Sequence, residues 1–105
     1  MASTIGTTDQ VKDHIVMYGA DWCGDCRNAK QVLDGEQVAY EYVDLVADES
    51  AAAIAESISG QKHIPVIVFP DGAFYVEPTK TELALKIRSL QGSLNSSLAK
   101  GWGGA

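Results

Sequence analysis

Both cysteines of the chain fall within one stretch, Val16-Met17-Tyr18-Gly19-Ala20-Asp21-Trp22-Cys23-Gly24-Asp25-Cys26-Arg27. The unbroken apolar run Ile15-Val16-Met17-Tyr18, with β-branched and aromatic members and a closing glycine, predicts a strand buried on both faces. The residues after it predict a tight turn into a helix. A sulfur at the start of that helix meets unpaired backbone N–H groups and the positive end of the macrodipole, which favour a thiolate over a thiol. Cys23 is therefore the candidate nucleophile. One helical turn brings Cys26 back beside it, close enough to close a disulfide once Cys23 has been engaged, so Cys26 is the candidate resolving thiol.

The remainder of the chain alternates strand and helix signals. Ala29, Val32 and Leu33 repeat at helical spacing, the helix ends near Leu33, and Gly35 is the expected left-handed cap. Val38 to Leu45 has the tyrosines and valine of a second strand. An acidic start at Asp48-Glu49 followed by alanines predicts a second helix, stopping at Gly60. Lys62-His63-Ile64-Pro65-Val66-Ile67-Val68-Phe69 predicts a third strand announced by proline, and Pro70-Asp71-Gly72 predicts the turn of a hairpin returning through Ala73 to Val76. Thr79-Lys80-Thr81-Glu82 has the form of a capping box, with Leu83, Ile87 and Leu90 as the apolar face of a closing helix. The expected architecture is α/β, with strands and helices in the order βαβαββα, one mixed four-stranded sheet and three flanking helices. Residues 1–13 read as a polar leader, 14–90 as the folded domain and 91–105 as a Gly- and Ser-rich mobile tail. Leu94, Leu98 and Trp102, four apart, leave a short docking helix as the alternative for that tail.

Composition narrows the function classes. The net charge of -6 repels phosphate backbones, and the eight basic residues are scattered, which argues against nucleic acid and anionic membrane as partners. No stretch has the roughly 18 apolar residues of a membrane span, and no secretory signal pattern is visible, so the expected location is the cytoplasm. A zinc site would need Cys23, Cys26, His14 and His63. His14, however, opens the first strand while the cysteines follow its end, which at about 3.3 Å per residue separates them by more than about 10 Å. His63 stands two residues before Pro65, and its two readings are a solvated loop residue and a group that touches substrate.

The order of elements, with Trp22-Cys23-Gly24-Asp25-Cys26 after the first strand and Ile64-Pro65-Val66 about 40 residues later, resembles the thioredoxin superfamily. Its glutaredoxin branch is the nearest, and within that branch the actinobacterial mycoredoxins and the glutaredoxin-like redoxins that serve ribonucleotide reductase. The resemblance covers roughly residues 14 to 90. It implies a thioredoxin-like fold, a cis Pro65 whose loop lies against the cysteines, and an Ile64 backbone that hydrogen-bonds a thiol substrate. It also implies a thiol–disulfide oxidoreductase in which Cys23 attacks protein mixed disulfides and Cys26 resolves them. Trp22, Gly24, Asp25, His63, Ile64 and Pro65 are the expected substrate-binding set. Glutathione-type relatives carry a Gly-Gly and an acidic residue at the start of the last helix, where Glu77-Pro78-Thr79 stands here, so mycothiol is favoured over glutathione as co-substrate. No bound cofactor and a monomeric protein are expected. Two other functions share these thiols: a dithiol reductant fed by a flavoprotein reductase, and an iron–sulfur or redox-sensing binding module. Asp25 places a carboxylate beside the expected thiolate, which it opposes; Arg27 and Lys30 have two readings, solvated helix-surface residues, which is favoured, and cations that counter Asp25.

Overall fold

The computed structural model describes residues 4–9 and 11–101. The elements are β1 (Thr4–Thr7), β2 (Ile15–Gly19), α1 (Gly24–Gly35), β3 (Tyr40–Asp44), α2 (Glu49–Ser59), β4 (Val66–Val68), β5 (Ala73–Val76) and α3 (Lys80–Gly101). The sheet runs β1-β5-β4-β2-β3. β2 and β3 are parallel and joined through α1, while the β2–β4, β4–β5 and β5–β1 pairs are antiparallel.

The sheet thus has five strands, not the four expected from the sequence. The additional one, β1, lies in the segment read as a polar leader. Its Ile5 is 56% exposed, so it carries no apolar alternation facing the core. Backbone pairing with β5, from Thr4 opposite Val76 to Thr7 opposite Ala73, holds it in place. The Thr8 N–H extends that ladder to the Gly72 carbonyl at 2.8 Å, and Gln61 Nε2 donates to Thr4 Oγ1 at 3.0 Å. Gly6 is the residue that permits this fit, because the Phe74 ring packs where its side chain would be.

β2 is buried along its whole length and divides the core by the alternation of its side chains. Ile15 and Met17 pack with Cys26, Ala29 and Leu33 of α1 and with Leu83 and Ile87 of α3. Val16 and Tyr18 point the other way, toward Ala51, Ala55 and Ile58 of α2. α1 and α3 therefore cover one face of the sheet and α2 the other.

The helix ends follow local chemistry. The Asp48 side chain accepts the Ser50 N–H at the start of α2, and Gly60, at φ 73°, closes it with its N–H on the Glu56 carbonyl. At α3 the capping box forms as expected, Thr79 N–H donating to Glu82 Oε1 at 2.8 Å and Glu82 N–H to Thr79 Oγ1 at 3.1 Å. The end of α1 departs from expectation. Gly35 is its last residue, and the left-handed position falls on Gln37, at φ 57°. Hydrogen bonds from Glu36 N–H to the Val32 carbonyl and from Gln37 N–H to the Asp34 carbonyl close that end. The backbone of α3 runs on to Gly101, beyond Leu90, the last residue of its expected apolar face. Trp102 and the side chains of Leu94 and Leu98, on which the docking-helix reading rests, lie outside the described residues. The third strand is shorter than its apolar run, beginning at Val66, after the proline.

A Cβ at Gly6 would lie 2.6 Å from Cζ of Phe74. Gly6→Ala is expected to destabilise the fold by about 1–3 kcal/mol, the usual cost of overpacking. The check is a lower urea midpoint at unchanged slope, partly restored by Phe74→Leu.

Candidate active site

The buried strand β2 ends at Gly19, and the chain reaches the surface through Ala20-Asp21-Trp22 before α1 begins. That loop is fastened on several sides. Cys23 N–H donates to the Ala20 carbonyl at 3.1 Å, and Leu45 N–H donates to the Gly19 carbonyl at 2.9 Å. Arg27 Nη1 donates to the Asp21 carbonyl at 2.9 Å and the Tyr42 hydroxyl to Asp21 Oδ1 at 3.0 Å. The Lys30 ammonium lies 3.7 Å from the same carboxylate oxygen and 3.7 Å from the centre of the Tyr42 ring. Arg27 and Lys30, read from the sequence either as solvated surface residues or as cations that counter Asp25, are both engaged with Asp21. Burial and the Asp21 carboxylate together push the Tyr42 hydroxyl well above the usual phenol range.

Cys23 is the N-cap of α1, in extended conformation, and its Sγ accepts the Cys26 N–H at 3.3 Å. The sulfur thus occupies the position at which a capping oxygen accepts one of the helix's unpaired donors. It is partly exposed, and the Ile64 carbonyl lies 4.0 Å from it across the groove. The Ile64–Pro65 peptide is cis, and the Pro65 carbonyl accepts the Glu77 N–H at 3.0 Å. Strand β4 and the start of α3 are in this way tied to the loop that faces the sulfur.

Cys26 differs sharply from its partner. It is fully buried, one of the core residues between α1 and β2. Burial, then the hydrogen bond with the Cys23 thiol, and more weakly the charge of Asp25, push its thiol up to about 12. Gly19 makes its position possible, since a Cβ there would stand 2.8 Å from Cys26 Sγ. Both cysteines are free thiols.

Of the sequence-predicted site residues, the fold brings Cys23, Cys26, Ile64 and Pro65 together. Trp22, 70% exposed, stands on the loop immediately before the nucleophile. Gly24 and Asp25 are exposed on the first turn of α1. A Cβ on Gly24 would meet nothing nearer than Arg27 Nη2 at 3.9 Å, so no close packing requires glycine there. The exposed His63 turns toward Glu77, its Nδ1 3.7 Å from Oε1. His14 lies outside the group, as its place at the start of β2 predicts. It is hydrogen-bonded to Glu41 and Asp13, which in that order hold its pKa above the ordinary value.

Sequence reasoning missed several residues of the site. In the sequence Glu77 stands out only as a departure from a family pattern. With Asp25, Asn28, Pro78, Thr79 and Lys80 it lines a cleft of about 270 Å3 between the first turn of α1 and the start of α3. A second cleft, of about 370 Å3, lies beyond Ile64 and His63 and is walled by Leu45, Ala52, Ala55 and Glu56. Tyr42 and Asp21 are 21 residues apart, and no local pattern links them.

Comparison with known proteins agrees with this geometry. The family model described as Glutaredoxin matches residues 15–74. Mycoredoxin 1 of Corynebacterium glutamicum is 31% identical over 78 residues, which span 73% of this chain and 96% of that protein. The crystal structure of a glutaredoxin from Archaeoglobus fulgidus superposes with a TM-score of 0.67 at 25% identity, covering 75% of this chain and 90% of that one.

The contrast between the two thiols is measurable. Brief alkylation of the reduced native protein near pH 8 is expected to modify Cys23 and spare Cys26, with Cys26 labelled only on unfolding, as read by peptide mass. Linkage gives a second test. Cys26 is raised from 9.0 to about 12 on folding, so above pH 9 the unfolded chain releases this proton first. The stabilisation from the buried neutral thiol is whole below pH 9 and is lost progressively as pH rises toward about 12. Tyrosines titrate in the same range, so the expected observation is a shallower alkaline decline in the Cys26→Ala variant than in the parent protein.

Proposed function

This chain belongs to the glutaredoxin family, and from that membership we propose that it reduces mixed disulfides between proteins and a low-molecular-weight thiol, with mycothiol favoured over glutathione. The coarser statement needs no proposal: the chain is a thiol–disulfide oxidoreductase of glutaredoxin type. The observation that carries the mixed-disulfide chemistry is the pairing of a partly exposed Cys23, capping a helix with its own sulfur, with a buried Cys26 directly behind it, while the preference for mycothiol rests on the likeness to Mycoredoxin 1.

In the proposed reaction the Cys23 thiolate attacks the small-thiol sulfur of the mixed disulfide. A bond forms between that sulfur and Cys23 Sγ, the bond to the protein sulfur breaks, and the departing protein thiolate takes a proton from solvent. Two routes then regenerate the enzyme. A second molecule of small thiol attacks the adduct, leaving as a symmetrical disulfide and restoring Cys23. Alternatively Cys26 gives up its proton and attacks Cys23, releasing the small thiol and leaving an internal disulfide for a later reductant.

The helix N-terminus supports Cys23 as the attacking group, because the capping interaction is strongest for an anionic sulfur. The Ile64 carbonyl and Pro65 wall the opposite side of the groove and leave a place for the incoming disulfide. Trp22, Gly24, Asp25 and His63 complete the substrate-facing rim in this reading. The likeness to Mycoredoxin 1 supports mycothiol as the co-substrate. Among the described residues no helix is long and apolar enough to cross a membrane. A cytoplasmic site of action fits the chemistry, since reducing compartments keep such thiol pairs in the dithiol form.

Cys23→Ser is expected to abolish turnover. Cys26→Ser is expected to retain reduction by small thiol and to accumulate a Cys23 adduct one small-thiol mass heavier than the protein. The deciding comparison sets mycothiol, glutathione and a thioredoxin reductase as alternative reductants of the parent protein. Faster turnover with mycothiol is the expected result, and turnover with the reductase alone would assign the chain to the dithiol-reductant role instead.

A further inference from the structure

We propose that Tyr42 and Asp21 are positioning residues for the internal step of the reaction: they hold the Ala20 backbone between the two cysteines, so that its N–H meets the Cys26 sulfur as that thiol gives up its proton. This rests on the oxidoreductase reading above and concerns the cysteine pair of the same site. Ala20 is the loop residue that touches both cysteines. Its carbonyl accepts the Cys23 N–H at 3.1 Å, and its own N–H hydrogen-bonds the Cys26 sulfur. The backbone runs so close to that sulfur that a Cβ on the preceding Gly19 would stand 2.8 Å from it. Ala20 itself is 1% exposed, so water has no access to take over the donor's place.

An alanine has no polar side chain to fix its own backbone, and its neighbours do so. On one side the Gly19 carbonyl accepts the Leu45 N–H at 2.9 Å. On the other, Asp21 Oδ1 accepts the Tyr42 hydroxyl at 3.0 Å, the Lys30 ammonium lies 3.7 Å from the same oxygen, and Arg27 Nη1 donates to the Asp21 carbonyl at 2.9 Å. Tyr42 is a firm anchor. It stands opposite Met17 in the β2–β3 ladder, its ring packs against the core cluster that contains Cys26, and Lys30 covers the ring's face. Its hydroxyl stays protonated well beyond neutral pH, so it remains a donor to Asp21. Tyr42, Asp21 and Ala20 thus link the edge strand β3 to the buried sulfur.

In the internal step Cys26 loses its proton to solvent and its sulfur bonds to Cys23 Sγ. The bond from Cys23 to the small thiol breaks, and the departing thiolate is protonated from solvent, with one disulfide present before and after. Negative charge therefore develops on Cys26 in an apolar site. Burial opposes it, and the Ala20 N–H is a preset donor that favours it. The first attack draws on a different donor, the Cys26 N–H of α1, 3.3 Å from Cys23 Sγ. Loosening Asp21 is therefore expected to slow the second step and spare the first.

The test mixes the reduced full chain rapidly with 2-hydroxyethyl disulfide, quenches in acid and reads intact mass, which separates the dithiol, the Cys23 adduct and the internal disulfide. Tyr42→Phe, which keeps the ring and its contact with Lys30, and Asp21→Ala are each expected to slow closure of the adduct by about three- to ten-fold, the worth of one hydrogen bond of ordinary net strength. Loss of the dithiol form should be nearly unchanged. Asp21→Asn, which still accepts the Tyr42 hydroxyl, should close nearly as fast as the parent protein. Gly6→Ala, which loosens the far edge of the sheet, controls for general destabilisation and should close at the parental rate. Parental closure in Tyr42→Phe or Asp21→Ala, equal slowing of both steps, slowing in Gly6→Ala, or no rescue in Asp21→Asn would each overturn the positioning role. So would a parent adduct that never closes. If the parent protein stays in the dithiol form throughout, the oxidoreductase reading falls instead.

Discussion

The burial of β2 on both faces is the constraint on which the rest of this structure depends. Five consecutive residues, Ile15 to Gly19, are covered, with Met17 wholly removed from solvent and Val16 at 2%. At about 1.5–3 kcal/mol for each large apolar side chain buried, such a strand is the strongest single reason for helices on both sides of the sheet. It also fixes the location of the chemistry. The chain leaves the core at Gly19, and α1, which must return to cover Ile15 and Met17, begins four residues after Ala20. The inward positions of α1 are Cys26, Ala29 and Leu33, so the first buried side chain of the helix is the second cysteine. The two-residue spacing of the cysteines thus reflects a helix start: one sulfur caps the helix and the other begins its apolar stripe.

That arrangement gives two chemically identical side chains opposite environments. Cys23 meets a backbone donor and solvent, whereas Cys26 meets apolar atoms and a sulfur neighbour. The cations of the region stabilise something else. Arg27 and Lys30 hold Asp21, and through the Tyr42 hydroxyl the loop before Cys23 is tied to the middle of the edge strand β3. Basic side chains here fasten the nucleophile's loop, and the hydrogen bond that reaches the sulfur comes from the helix backbone.

The parts of the fold legible in the sequence were those in which local chemistry and burial agree. Ile15–Tyr18 has the composition of a buried strand, Pro70-Asp71-Gly72 forms its turn with Gly72 at φ 94°, and Thr79 and Glu82 form their reciprocal cap. β1 was illegible because its stabilisation is almost entirely backbone pairing with a distant strand, and its one apolar side chain, Ile5, faces outward. Gly35 misled for a related reason: glycine permits a left-handed turn without requiring it, and the hydrogen bonds closing α1 placed that turn at Gln37. At the site, Cys23, Cys26, Ile64 and Pro65 carried signals in their spacing and in a family resemblance. Gly19, Tyr42 and Glu77 did not, because what matters at each is a neighbour remote in sequence, respectively the Cys26 sulfur, the Asp21 carboxylate and the Pro65 loop.

Asp25 acquires a physical account from this arrangement. Read along the chain, it is a carboxylate that opposes the thiolate two residues away. In the fold its charge bears on Cys26 as the smallest of the contributions that keep that thiol protonated, and its side chain lines the cleft between the first turn of α1 and the start of α3. On the proposed reaction these effects act on different steps. Once Cys23 is bonded to the small thiol, it no longer offers Cys26 a thiol partner or a negative charge, and two of the influences that hold the Cys26 proton vanish. Burial and Asp25 remain. Attack by Cys26 must still remove a proton from an apolar site against that residual charge, whereas a second small thiol arrives already solvated. On the proposed reaction, then, the Asp25 charge opposes the internal route and favours resolution of the adduct by an external thiol.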